Sequence, residues 1–206
     1  MEYKLSYKRK LPHFQPRDGI LFLTFRVDFP IPSKYLAAYN EYKEKLRIIS
    51  EKNQDKEKKA VYKKKLFAYT DDLYMDCSSS IDLTDAKVGR IVFDKILSMQ
   101  DEYYHLYLFT LMSNHVHILL MPSKKEGKAI PVGEILRLIK GSTARSINQL
   151  LGMTGMLWHR EYYDHWVRSQ RELFNIFEYI RNNPVKAGLV SDASDWSWTW
   201  INPDYC

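Results

Sequence analysis

The chain has 206 residues, 45% of them hydrophobic and 14% aromatic, which is enough apolar material for a core and is expected to make a single domain over 1–206. Its two cysteines, Cys77 and Cys206, lie far apart without a CxxC spacing, so neither a disulfide framework nor a cysteine zinc site is indicated. The absence of a signal-like N-terminus and of any run near the roughly 20 apolar residues of a membrane span argues for a soluble cytoplasmic protein, and a formal charge of +6 with a pI near 9.1 favours an anionic partner, nucleic acid first among them.

Near the N-terminus, residues 9–14 form a basic lead-in, expected to be a surface arm rather than an ordered element. Residues 19–27, Gly-Ile-Leu-Phe-Leu-Thr-Phe-Arg-Val, are rich in aromatic and branched side chains and bounded by turn formers, which predicts a central strand covered on both faces. From Pro32 to about Leu66 the composition is helical and heavily charged, with the Lys-rich segment at about 35–66. That stretch reads as a solvated helical pair, with contact to a DNA backbone as the functional alternative.

Thr84–Gln100 has the spacing of an amphipathic helix capped by Thr84, burying Val88, Ile91, Val92 and Ile96. Tyr103–Met112 and His115–Met121 then read as a hairpin turning on Ser113-Asn114. Strand side chains alternate faces, so His115 and His117 point the same way while Val116 enters the packing layer. Two imidazoles on one face suit a divalent metal, although such a pair can equally be held in place by hydrogen bonds alone.

Lys124–Lys128 is expected to be a polar linker, and Pro131 to open a helix running to about Leu151. Its core stripe is Val132, Ile135, Ile139, Ile147 and Leu150, while Arg137, Lys140 and Arg145 line another side and offer phosphate contacts, with plain solubility as the alternative. Met156–Arg168 reads as a strand or irregular edge whose aromatics belong mostly to the core, with Arg168 at its end as another candidate DNA contact; His165 within it is a candidate extra ligand or general acid.

Arg171–Asn183 reads as a helix stopped by Pro184. Leu173, Ile176, Phe177 and Ile180 make its apolar stripe, and Glu172, Asn175, Tyr179 and Asn183 a polar side, so Tyr179 is expected to look away from the core. Asn183 lies one turn later, where its amide oxygen could serve as a hard ligand beside the tyrosine hydroxyl. A phenol attacks a phosphate well only when a nearby cation stabilises the developing charge, which a metal on two histidines could provide.

Four segments in order carry a family resemblance: Ser-Asn-His-Val-His-Ile-Leu-Leu at 113–120, Lys-Gly-Ser-Thr-Ala-Arg at 140–145, Trp-His-Arg-Glu-Tyr-Tyr-Asp-His at 158–165, and Tyr-Ile-Arg-Asn-Asn-Pro-Val-Lys-Ala-Gly-Leu-Val at 179–190. Together they resemble the REP-associated tyrosine transposases, relatives of the IS200-like transposases within the single-tyrosine HUH endonucleases. The resemblance implies an α+β, ferredoxin-like antiparallel sheet with helices packed on it. It implies His115, His117 and Asn183 as ligands of Mg²⁺ or Mn²⁺, and Tyr179 as a nucleophile that cleaves and rejoins single-stranded or hairpin DNA through a 5′-phosphotyrosine link. It also implies a monomer, with a homodimer as the alternative. Ser113 departs from the family's usual proline, and the Lys-rich segment is longer than the family core requires. Two rival readings are a non-catalytic DNA-hairpin-binding protein and a metal hydrolase that uses water.

Overall fold

A computed structural model describes residues 6–8, 12–14, 19–52 and 56–205. Residues 9–11 of the basic lead-in lie outside the described residues, but 12–14 are a strand rather than an arm: β1 (Ser6–Lys8) pairs antiparallel with β2 (Pro12–Phe14). The chain divides into two compact units, one made of 1–28 and 81–206, the other of 29–80.

The second unit is the charged helical pair expected from composition. It consists of α1 (Ser33–Lys52) and α2 (Lys56–Met75), which runs beyond Leu66. Tyr42 stacks on Tyr69 across the pair, with ring centroids 4.9 Å apart, and Phe29 meets Tyr74 edge-on at 6.2 Å. Lys64 and Lys65 are exposed, as befits a solvated face.

The first unit is built on β3 (Leu21–Arg26), α3 (Ala86–Ser98), β4 (Tyr104–Leu111), β5 (His115–Pro122), a small hairpin of β6 (Lys124–Lys125) and β7 (Lys128–Ala129), α4 (Val132–Leu151), β8 (Tyr163–Trp166), α5 (Gln170–Lys186) and β9 (Thr199–Ile201). The hairpin β6–β7 replaces the linker expected there, because Glu126 and Gly127 both adopt positive φ and turn the chain tightly. The main sheet is antiparallel throughout, in the order β8-β3-β5-β4-β9. With β3, β4, β5 and β8 as the four core strands this is the 4-1-3-2 order of a ferredoxin-like fold, extended by β9 at one edge. The α+β class and the ferredoxin-like sheet expected from the motifs are therefore found.

Register decides which residues share a face, since directly paired residues project to the same side. Leu23 pairs with Ile118 and Phe25 with Val116, and across the next ladder Phe109 pairs with Ile118. This apolar face is covered by α3 and α4. Phe93 of α3 packs on Phe109 at 4.8 Å, and Trp158 packs on Phe25 at 5.1 Å while its indole N–H donates to Thr143 Oγ1 of α4 at 2.9 Å. All six residues of β3 are buried, the consequence of layers on both sides.

Local differences from the sequence reading have clear causes. Asp85, not Thr84, caps α3: its carboxylate accepts from the N–H groups of Lys87 and Val88, while Thr84 is drawn to Asp82 by its own N–H and hydroxyl. Leu150 is 43% exposed instead of buried, two residues before Gly152 ends α4 in the left-handed region. Pro184 lies within α5 rather than ending it; in the last turn the missing N–H costs one bond, and the turn closes with Ala187 and Leu189 donating to the carbonyls of Asn183 and Pro184.

At Gly89, α3 comes very close to its surroundings. A Cβ there would stand 2.5 Å from the Leu83 carbonyl oxygen and 2.7 Å from the Trp198 ring. Gly89→Ala is expected to destabilise the protein by about 1–3 kcal/mol through overpacking, although alanine is the better helix former. Urea unfolding of the two proteins checks this, and equal midpoints would refute it.

Candidate metal centre and tyrosine helix

The face of the sheet opposite α3 and α4 is polar at its centre. Arg26 pairs with His115 and Thr24 with His117, while Thr24 also pairs with Tyr163 and Thr110 with both His117 and Thr199. A row of polar side chains thus crosses all five strands, and α5 lies over this face.

The two histidines are 1% and 0% exposed. Their Nε2 atoms converge to 3.1 Å. Each ring is held by its other nitrogen: His115 Nδ1 lies 2.7 Å from Asn114 Oδ1 and His117 Nδ1 lies 2.7 Å from Thr24 Oγ1. An amide oxygen can only accept, so His115 carries its hydrogen on Nδ1 and presents a lone pair at Nε2. In the tautomer where Thr24 accepts from His117, the second Nε2 lone pair faces the first. Two lone pairs at that distance repel, and a cation between them removes the conflict. At a 3.1 Å separation the two nitrogens could share one ion. The donor set fits a divalent ion, with outer hydrogen bonds of the kind that orient metal-bound imidazoles.

Tyr179 reaches this pair. Its ring lies 5.6 Å from the His117 ring and 6.0 Å from Phe22, both edge-on. Phe22 is also 5.7 Å from His117 and 6.0 Å from Tyr163, so one phenylalanine braces both tyrosines and one histidine. Tyr179 therefore does not look away from the core as expected from its polar neighbours. It is half-buried against the sheet, because α5 turns the flank that carries it toward the strands. Asn183 follows one turn later and is 1% exposed. For Tyr163, burial first and then the charges of Asp164 and Glu172 push the hydroxyl above the usual tyrosine range.

The candidate DNA-contacting cations are not gathered at this centre. Arg137 and Arg145 are exposed on α4, across the sheet from Tyr179. Lys140 is turned inward on that same layer, its ammonium donating to the His159 carbonyl at 2.9 Å and lying 5.5 Å over the Phe25 ring. Burial, followed by the positive charge of Arg26, holds the His159 imidazole below its ordinary pKa. Arg168 sits at the exit of β8 just before α5, its guanidinium 5.3 Å over Trp166.

Sequence reasoning missed the roles of Asn114 and Thr24. Asn114 served there only as a turn residue, although its place directly before His115 was a usable signal. Thr24 lies 93 residues from its partner, and only strand register brings them together. His165, a candidate extra ligand or general acid by its sequence, has its Nε2 3.0 Å from Glu172 Oε1 of α5.

Residues 85–183 match the family model of IS200-like transposases, just under half of the chain. A Haemophilus influenzae protein named as a REP-associated tyrosine transposase is 26% identical over 100 residues, covering 46% of this chain and 57% of that protein. A second, uncharacterised H. influenzae protein is 28% identical over 98 residues, covering 37% of this chain and 52% of its own length. The chain thus spans little more than half the length of these curated relatives. Among solved structures, a REP-associated tyrosine transposase bound to a REP hairpin aligns over 93% of this chain and 82% of its own, with TM-score 0.49 and 12% identity. A transposase structure from Deinococcus radiodurans aligns over 84% and 97%, with TM-score 0.37 and 14% identity. Both likenesses are distant, and the ferredoxin-like fold is defined by the strand order β8-β3-β5-β4. The segment that holds α3, the histidine hairpin, α4 and the tyrosine helix carries the IS200-like transposase pattern, and the resemblance to REP-associated tyrosine transposases read from the motifs holds. No helix among the described residues is long and apolar enough to cross a membrane.

Proposed function

We propose that this protein is a metal-dependent transposase that nicks and rejoins single-stranded or hairpin DNA through a tyrosine–DNA link. The observation that carries this reading is the edge-on packing of Tyr179 against His117, whose Nε2 converges with that of His115. His115, His117 and Asn183 would hold Mg²⁺ or Mn²⁺. Such an ion, when bound, polarises a non-bridging phosphate oxygen and lowers the cost of the charge that develops on it.

The residues then divide the work. Phe22 and His117 fix the ring of Tyr179 so that its phenolic oxygen approaches phosphorus along one direction. The Oη–P bond forms as the P–O3′ bond breaks; the phenolic proton passes to water and the departing 3′ oxygen takes one up. One phosphodiester replaces another, so little energy is lost, and the 3′-hydroxyl can later attack the link to rejoin strands. Tyr163 is the weaker candidate nucleophile, because a hydroxyl whose ionisation is opposed by burial and by two neighbouring carboxylates is harder to activate. Arg168 would meet phosphates beside α5, whereas Arg137 and Arg145 would engage DNA that wraps to the α4 side.

Incubating the protein with a hairpin carrying single-stranded flanks and a different label at each end, with Mn²⁺ or Mg²⁺, is expected to give a denaturation-resistant protein–DNA adduct that keeps the 3′ label and a released fragment that keeps the 5′ label and ends in a free 3′-hydroxyl. EDTA is expected to abolish both. Hairpin binding by gel shift with no adduct across many flanking sequences would favour the non-catalytic binder, and product ends formed without any adduct would favour a water-using hydrolase.

A further inference from the structure

The pair His165–Glu172 lies outside the metal centre, yet it joins the edge strand β8 to the first turn of the helix that carries Tyr179. His165 Nε2 is 3.0 Å from Glu172 Oε1, and the two side chains are only 15% and 16% exposed. The other carboxylate oxygen accepts the Arg168 backbone N–H at 2.9 Å, and the Glu172 N–H donates to the capping hydroxyl of Ser169 at 3.2 Å. One carboxylate therefore ties together the exit of β8, the turn, and the start of α5.

The tie points toward Tyr179. Glu172 and Tyr179 are seven residues apart on α5, so they share a face and stand about 10 Å apart along the axis. On the sheet side, His165 pairs in register with Phe22, the residue against which the Tyr179 ring packs. The helix that bears the phenol is thus anchored at one end by a largely buried hydrogen bond and braced at its middle by Phe22. A bond shielded from water holds its geometry more firmly than an exposed one.

We infer that His165 and Glu172 are positioning residues, which set the start of α5 on β8 and so fix the phenol of Tyr179 relative to the two imidazoles. This rests on the reading of Tyr179 as nucleophile. His165 itself is one strand away from Phe22 across the ladder and, through Glu172, about two turns of helix from Tyr179, and takes no part in the chemistry.

The test compares the full chain with His165→Ala, His165→Gln, Glu172→Ala and Glu172→Gln. The glutamine variants keep a hydrogen bond between the two positions; the alanine variants remove it. In single-turnover adduct formation on a hairpin oligonucleotide, each alanine variant is expected to slow attack about 10- to 100-fold, as displacement of a reacting group by about 1 Å does. Oligonucleotide affinity and binding of Mn²⁺ alone are expected to stay within about 2-fold, and each glutamine variant to recover to within about 5-fold of the parent. Amide hydrogen exchange supplies a readout independent of activity: the alanine variants are expected to speed exchange from residue 172 through 179, and the glutamine variants not. Unchanged attack and unchanged exchange in His165→Ala would overturn the inference, and so would glutamine variants as impaired as the alanine ones. A parent protein that forms no adduct would sink the reading of Tyr179 as nucleophile instead, while the exchange pattern still decides whether the pair anchors α5.

Discussion

Tyr179→Phe is expected to form no covalent adduct with hairpin DNA, with the rate falling by at least about three orders of magnitude, as when the nucleophile of a covalent catalyst is removed. The substitution deletes a single oxygen. The ring keeps its edge-on packing against Phe22 and His117, so the fold and the histidine pair should be undisturbed. Binding of Mn²⁺ and of the hairpin should accordingly match the parent, which separates loss of chemistry from loss of structure. Tyr163→Phe is the control: this second tyrosine flanks the same phenylalanine, but its ionisation is opposed by burial and nearby charge. Adduct retained in Tyr179→Phe and lost in Tyr163→Phe would move the nucleophile from the helix to the edge strand.

How far the sequence goes in specifying this site can be argued from single residues. The period of two across 115–117 places both imidazoles on one face, and the apolar run at 21–25 demands a strand buried on both sides; the sheet contains both. Strand order is another matter. That Thr24 stands behind His117 follows from the antiparallel register of β3 on β5, and no local pattern encodes it. Helical spacing predicts that Tyr179 faces outward, because Glu172, Asn175 and Asn183 share its flank. Helical spacing reports polarity only: on this flank Asn175 is exposed to water, whereas Tyr179 packs on His117 in the polar row across the sheet. A buried site makes its covering helix look solvent-exposed in sequence, and Asn183, at 1% exposure, shows the same inversion. The cap of α3 differs for a simpler reason: Asp82, Thr84 and Asp85 compete within four residues, and the carboxylate of Asp85 takes the helix N–H groups while that of Asp82 holds Thr84.

Removing either imidazole is expected to abolish tight metal binding, and trimming the groups behind them to weaken it in a graded way. His117→Ala leaves one nitrogen donor where two converge at 3.1 Å, so Mn²⁺ affinity should fall more than about 100-fold, with adduct formation lost in parallel. Thr24→Val is the more informative change. It preserves shape in a strand residue that is 3% exposed, and removes only the oxygen 2.7 Å from His117 Nδ1. The imidazole then loses the partner that sets its tautomer and angle, and Mn²⁺ affinity should drop about 10- to 100-fold. Asn114→Ala should act likewise on His115, because it removes the amide oxygen 2.7 Å from His115 Nδ1, while the backbone carbonyl of residue 114 still accepts the Val27 N–H at 2.8 Å. Calorimetric titration with Mn²⁺ alone, beside thermal unfolding of each variant, separates the two effects. If Thr24→Val binds Mn²⁺ as tightly as the parent while His117→Ala does not, the threonine hydroxyl contributes nothing to the ligand's orientation, and the imidazole must be held by its packing on Phe22 and Tyr179 alone. If neither variant changes Mn²⁺ affinity, the converging nitrogens are a hydrogen-bonded pair inside the sheet and the metal belongs elsewhere.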